Sequence, residues 1–219
     1  MCYTKCGGVL LKKLKKNDKK IRKYIHNHPI IKNTVLNPRD CCYGGRVENV
    51  ISFYKVKGDE QISYCDITSL YPFINKFGKF PIKHPKIYVG DECTNKIGVN
   101  MNFENFEGLI KCRILPPCNL KFPVLPAKIC GKLMFPLCRT CCEKSLTREC
   151  THENEEDREL DGTWVSDEVK KSIELGYKVK KVYELWEYEV IQYDKLKKTS
   201  GLFEGYMNTF YGLKQTASG

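Results

Sequence analysis

The sequence predicts an α+β fold, and three observations carry that reading. Segments rich in Val, Ile, Tyr and Phe, of strand type, alternate along the chain with segments whose apolar residues recur at helical spacing. Apolar residues make up 42% of the 219 and aromatics 11%, enough to bury a core and too much for general disorder. Proline and glycine signals such as Asn37-Pro38, Gly44-Gly45 and Pro116-Pro117 punctuate the segments.

Taken in order, Val9 to Tyr24 reads as a helix within a loose basic segment, and Asn37 to Asp40 as a turn. Val47, Val50, Ile51 and Tyr54 recur at three-to-four spacing, as in a short helix or an irregular approach. Ile62 to Ile67 reads as a buried strand. A helix over Ser69 to Phe77 follows, with Pro72 in its first turn. Residues 78–91, broken by Gly78, Pro81, Pro85 and Gly90, form a loop or an edge. Phe106 to Leu115 and Phe122 to Ile129 are the next strand candidates. Cys130 to Asp161 is Cys-rich, then acidic, with little periodicity, and reads as a surface insertion. Ser166 is expected to cap a helix that runs to Leu175 and stops at Gly176. Tyr177 to Val190 reads as strand, and Leu202, Phe203, Tyr206, Phe210 and Leu213 line one face of a final helix.

Charge is unevenly placed. The chain has 37 Lys and Arg against 26 Asp and Glu, a net +11. Residues 1–40 hold 11 of the basic residues and two acids, so +9 of the excess lies there. Such an arm suits a polyanion, because Lys and Arg release counterions when they meet phosphates; it is equally the composition of a solvated tail. No apolar run approaches the ~20 residues that span a bilayer, and no secretory signal opens the sequence. Thirteen cysteines without an export signal then read as reduced thiols or metal ligands. The expectation is a soluble intracellular protein with no membrane partner; nothing in the sequence separates nucleus from mitochondrion.

The most informative string is Tyr64-Cys65-Asp66-Ile67-Thr68-Ser69-Leu70-Tyr71-Pro72. A carboxylate at the end of a strand, followed at once by a helix, suits a divalent metal that carries a triphosphate; it also suits a simple helix cap. The string Asp-x-x-Ser-Leu-Tyr-Pro resembles motif A of family B DNA polymerases, and the chain resembles their protein-primed branch of linear plasmids, viruses and self-synthesising transposons. Further pieces occur in the family's order. Tyr43-Gly44-Gly45-Arg46 resembles the Tyr-x-Gly-Gly element, and Phe80-Pro81-x-x-His84-Pro85 the segment after motif A. Gly162-Thr163-Trp164 and the two later helices resemble the palm beyond the branch's first insertion.

The resemblance implies part of a polymerase palm, an antiparallel sheet with helices, bearing a Cys-rich surface insertion. The organisation it suggests is a basic segment over 1–40, the palm start with motif A over 41–129, the insertion over 130–161 and the palm continuation over 162–219. It implies that Asp66 ligates Mg²⁺ or Mn²⁺ and is the catalytic carboxylate, with Ile67 lending its carbonyl. Tyr71 would stack under the deoxyribose and exclude a 2′-hydroxyl, with Ser69 and Leu70 supporting the nucleotide pocket. Tyr43, Gly44, Gly45 and Arg46 would lie along template DNA. The implied partners are primer and template DNA, dNTP and a terminal priming protein. Two departures matter. Cys42 occupies the tyrosine slot of Tyr-x-Gly-Gly, with Tyr43 one place later. Neither motif B (Lys-x-x-x-Asn-Ser-x-Tyr-Gly) nor motif C (Tyr-x-Asp-Thr-Asp) occurs. A two-metal reaction needs at least two carboxylates, so the chain is expected to be the front of a palm, inactive alone.

A second constellation, Cys138-x-x-Cys141 followed by Cys150-x-His152, has the donors and spacing of a structural zinc site, or of reduced thiols in a Cys-rich chain. His26, His28 and His84 have no acid or thiol context and read as surface or loop residues. No phosphate-binding loop and no Gly-x-Ser-x-Gly elbow occurs. Two rival readings remain at this level: a non-catalytic nucleic-acid-binding module with a zinc knob, and a decayed mobile-element remnant.

Overall fold

A computed structural model describes residues 35–146 and 150–217. The expected helix from Val9 to Tyr24, together with His26 and His28, lies outside the described residues. In chain order the elements are a 3-10 turn at Pro38–Cys41, helix α1 (Leu70–Phe77), strand β1 (Lys79–Val89), α2 (Asp91–Ile97) and β2 (Gly108–Leu115). There follow β3 (Ala127–Ile129), β4 (Lys132–Met134), α3 (Arg139–Glu143), α4 (Glu155–Arg158), β5 (Leu160–Val165), α5 (Ser166–Glu174), β6 (Lys178–Gln192) and α6 (Glu204–Ala217). No helix among the described residues is long and apolar enough to cross a membrane.

The four-stranded sheet has the order β1-β6-β2-β5, and β3 and β4 form a separate hairpin. β2 is antiparallel to both its neighbours. The chain divides into two compact units: the described part of Met1–Tyr43 with Pro85–Glu187, and Gly44–His84 with Tyr188–Gly219. β1 and β6 each have residues in both.

The first unit holds the core. Along β2 the apolar residues alternate with charged ones, so Ile110, Cys112 and Ile114 are fully buried while Lys111 and Arg113 face outward. Ile110 pairs with Trp164 of β5 on one side and Leu185 of β6 on the other, and all three side chains are fully buried. The Trp164 indole N–H donates to Pro126 O at 2.8 Å, which satisfies the one polar group in that row. Val169 of α5 and Leu125 close the same core. Burial raises the Cys93 thiol to about 11 and holds the Cys112 thiol well above the ordinary range, so these two are inert apolar packing groups. No described cysteine is in a disulfide.

One acid is fully buried too. Glu184 Oε2 accepts the Leu36 N–H at 2.6 Å, and Glu184 Oε1 accepts the Trp186 indole N–H at 2.7 Å. Residues 35 and 36 are thereby fastened to β6, and Lys111 Nζ adds a hydrogen bond to Val35 O at 2.9 Å.

The second unit is built differently. α1 packs on α6. Phe77 meets Tyr193 edge-on with centroids 5.4 Å apart, and Phe80 meets Phe203 at 4.9 Å. Lys76 Nζ donates to Asn208 Oδ1 at 2.7 Å, and Gln192 Nε2 to Phe77 O at 3.0 Å. None of its described residues is fully buried.

Several expectations are corrected. Ile62 to Ile67 is not a strand: the segment has no regular secondary structure and is exposed throughout, with no partner strand to supply ladder hydrogen bonds. Of the two readings of Val47 to Tyr54, the irregular one holds, and Phe122 to Ile129 contributes strand only at 127–129. Of the two readings of 78–91, loop or edge, the edge holds: residues 79–89 form β1 at the sheet edge, a position that tolerates Pro81 and Pro85. Ser166 is the first helical residue instead of the N-cap. Val165 takes the cap position, its N–H donating to Glu168 Oε2 at 3.3 Å, and Ser166 Oγ accepts the Gly108 N–H at 3.2 Å. The stop at Gly176 is as expected, with φ at +89° and the Tyr177 N–H returning to Ser172 O at 3.0 Å.

Gly162 lies beside the tryptophan ring: a Cβ there would come within 2.5 Å of Trp164 Cζ2. Gly162→Ala is expected to destabilise the protein by about 1–3 kcal/mol, read as a lower urea midpoint with unchanged slope.

Candidate functional site

The string resembling motif A folds as an irregular segment, a turn and a helix. Asp66 and Ile67 end the irregular segment, Thr68 and Ser69 make the turn, and Leu70 and Tyr71 open α1. Ser69 is left-handed, with φ 59° and ψ 31°, and its carbonyl accepts the Phe73 N–H at 3.0 Å. Its hydroxyl does not cap the helix, and Pro72, third in α1, has no N–H. The N–H groups of Leu70 and Tyr71 therefore have no capping side chain. They point the positive end of the helix dipole out of its first turn.

All five motif residues are exposed: Ile67 to 69%, Tyr71 to 80%, Leu70 to 37%, and Asp66 and Ser69 likewise. Asp66 forms no hydrogen bond or ion pair among the described residues. The reading of Asp66 as a carboxylate carried by a buried strand does not hold, although the turn into a helix does. Gly44, Gly45 and Arg46 lie in the same unit, exposed, with Arg46 paired to Glu48 and open space around both glycines.

Tyr43 belongs to the other unit, where it lines a cavity of about 430 Å³ with Lys111, Arg113, Lys128, Asp161 and Tyr183. Burial, then the Glu168 and Asp40 carboxylates, raise the Tyr43 phenol to about 12. Lys128 Nζ lies 5.8 Å from its ring centre. Arg113 binds Asp161 in two-point fashion, Nε to Oδ1 and Nη2 to Oδ2, each at 3.0 Å, and Tyr183 OH donates to Asp161 Oδ1 at 2.9 Å. This polar wall went unread in the sequence. Its signal was there in the outward positions of β2, Lys111 and Arg113, between buried apolar ones.

The cysteine constellation closes into a cluster in the first unit. The Cys138, Cys141 and Cys150 sulfurs and a His152 ring nitrogen all lie within 4.8 Å of one another. His152 Nδ1 is 3.5, 3.3 and 3.5 Å from the three sulfurs in turn. Cys138 is the N-cap of α3, with its Sγ accepting the Cys141 N–H at 3.5 Å. A backbone hydrogen bond from His152 is the main cause that lowers the Cys150 thiol to about 7. Burial and the neighbouring thiols raise Cys141 to about 12.

Among known families, the model for DNA polymerase type B, organellar and viral, matches residues 11–219. The chain belongs to this family. No curated protein and no solved structure matches it. Membership makes the chain a DNA polymerase domain of nucleotidyltransferase type, from a family that acts in DNA replication on DNA and dNTP with divalent metal. In this type B polymerase chain the motif A turn rests on one strained residue. A β-branched side chain tolerates the left-handed region poorly, at a cost of about 1–2 kcal/mol. Ser69→Val is expected to speed amide exchange in α1 relative to the wild type, whereas Ser69→Gly slows it or leaves it unchanged.

Proposed function

We propose that this chain forms the nucleotide side of a template-directed polymerase site in protein-primed DNA replication. The reaction is dNTP addition to a 3′-hydroxyl, or to a protein hydroxyl at initiation. The observation that carries the proposal is Asp66, an exposed carboxylate just ahead of an uncapped helix start within a motif A string.

The residues fit the metal chemistry of the family. The Asp66 carboxylate and the Ile67 carbonyl are hard oxygen donors, the kind Mg²⁺ and Mn²⁺ take. When bound, such ions neutralise the triphosphate and lower the pKa of the attacking hydroxyl. Leu70 and Tyr71 offer backbone N–H groups to the same phosphates. Tyr71 lies under the deoxyribose and sterically rejects a 2′-hydroxyl, while Ser69 and Leu70 shape the pocket. Gly44 and Gly45, with open space around them, let a phosphodiester approach the backbone, and Arg46 pairs with it. A terminal priming protein is the proposed further partner. Asp66 supplies one carboxylate where two-metal transfer needs at least two, so this chain by itself is proposed not to extend a primer.

Asp66→Asn is expected to weaken Mn²⁺-dependent binding of a fluorescent dNTP by about tenfold or more, the weight of a lost charge-assisted contact. Unchanged binding in that variant sinks the assignment. The basic segment gives a separate expectation. DNA affinity should fall by about 10³-fold or more between 50 and 200 mM salt if about six phosphates are contacted. Removing residues 1–34 should flatten that slope in a titration followed by fluorescence anisotropy.

A further inference from the structure

We propose that Cys138, Cys141, Cys150 and the Nδ1 atom of His152 bind one zinc ion, and that this ion is what holds α3 and α4 in place. The inference is independent of the polymerase chemistry, since the cluster and Asp66 lie in different units.

Geometry comes first. With Zn–S near about 2.3 Å and Zn–N about 2.0–2.1 Å, the S···N edge of a tetrahedral site is about 3.6 Å. The three S···Nδ1 separations, 3.3 to 3.5 Å, are the edges of such a tetrahedron, slightly contracted. The donors converge on one point from a helix cap, a helix first turn and a Cys-x-His segment. Three soft thiolates with one imidazole select zinc over Mg²⁺ or Ca²⁺. Four protein donors fill the tetrahedron, so the site is closed and structural, with no position left for a reacting water.

Energetics supplies a second, separate reason. From residue 139 to residue 157 no described residue is buried. The two helices in this stretch have five and four residues, far too short to persist in water on their own. Among the contacts that hold them are the Thr140 hydroxyl donating to Asp157 O at 2.8 Å and the Asn154 side chain capping α4 at 3.2 Å. A hydrophobic core cannot account for this order, whereas a metal clip can. The consequence reaches the polar cavity, because α3 carries Arg139, whose guanidinium comes within 4.0 Å of Asp161 and forms part of the cavity wall.

The test uses the full chain, purified with reduced thiols and without chelator, with bound metal counted by elemental mass spectrometry. One zinc per chain is expected, and Co²⁺ exchanged into the site should give the intense visible bands of a tetrahedral thiolate complex. Cys150→Ser and His152→Ala should each lose most of the metal. His152→Cys, which keeps four donors, and Cys142→Ser, which alters the adjacent thiol outside the set, should each retain one ion. Chelation should lower the melting temperature, and zinc should restore it. A reduced chain that carries no zinc and gives no Co²⁺ bands overturns the proposal. So does a Cys142→Ser variant that loses metal as fully as Cys150→Ser.

Discussion

The larger unit is referenced to one row of side chains. Leu185, Ile110 and Trp164 lie side by side across three strands, all fully buried, with the indole N–H bonded to Pro126 O. Because strand side chains alternate, a one-residue slip of β2 would turn Ile110 to solvent and bring Lys111 into the core. The row therefore fixes register, and register fixes the opposite face. It is the reason Arg113 stands across from Asp161 and Tyr183 reaches the same carboxylate. It also anchors the end of the Cys-rich stretch, since Arg158, Glu159 and Leu160 are buried as the chain runs into β5. The Arg158 guanidinium donates to Pro116 O at 2.9 Å on the way.

The smaller unit obeys a different constraint. Its motif A residues are not set by burial, since none of its described residues is fully buried. Their arrangement follows from backbone geometry: a left-handed Ser69, a proline that supplies no donor, and a helix start with free N–H groups. Aromatic edge contacts and two side-chain hydrogen bonds hold the helices beneath. A unit with a buried core and an exposed segment set by backbone geometry thus coexist in one chain, each with its own physical basis.

Much of this was legible in the sequence where a period was long and unbroken. The strand over 108–115, the helix over 166–174 with its stop at Gly176 and the strand after it follow from composition, periodicity and the C-terminal glycine. The four metal-ligand candidates, which the fold brings together, follow from spacing alone. Elsewhere nonlocal partners decide. Ile62 to Ile67 has a strand's composition but no neighbour to pair with, and β1 carries two prolines that only an edge position excuses. The division into two units joins 44–84 with 188–219, a pairing no local pattern announces. Glu184 stands between Tyr183 and Leu185 in an ordinary strand. Only the arrival of the Leu36 N–H shows why an acid is buried there.

That buried carboxylate has a consequence for the strongly basic segment ahead of it. Leu36 is bonded to β6 and Val35 to Lys111 of β2, so the chain enters the larger unit at a fixed point just after the stretch that carries most of the basic excess. A polyanion held by those basic residues would be confined near that point of the larger unit. Its second contact then becomes intramolecular, governed by effective concentration instead of bulk concentration. A weak, nonspecific hold by the basic residues would in this way multiply the occupancy of any other phosphate-binding surface on the same chain.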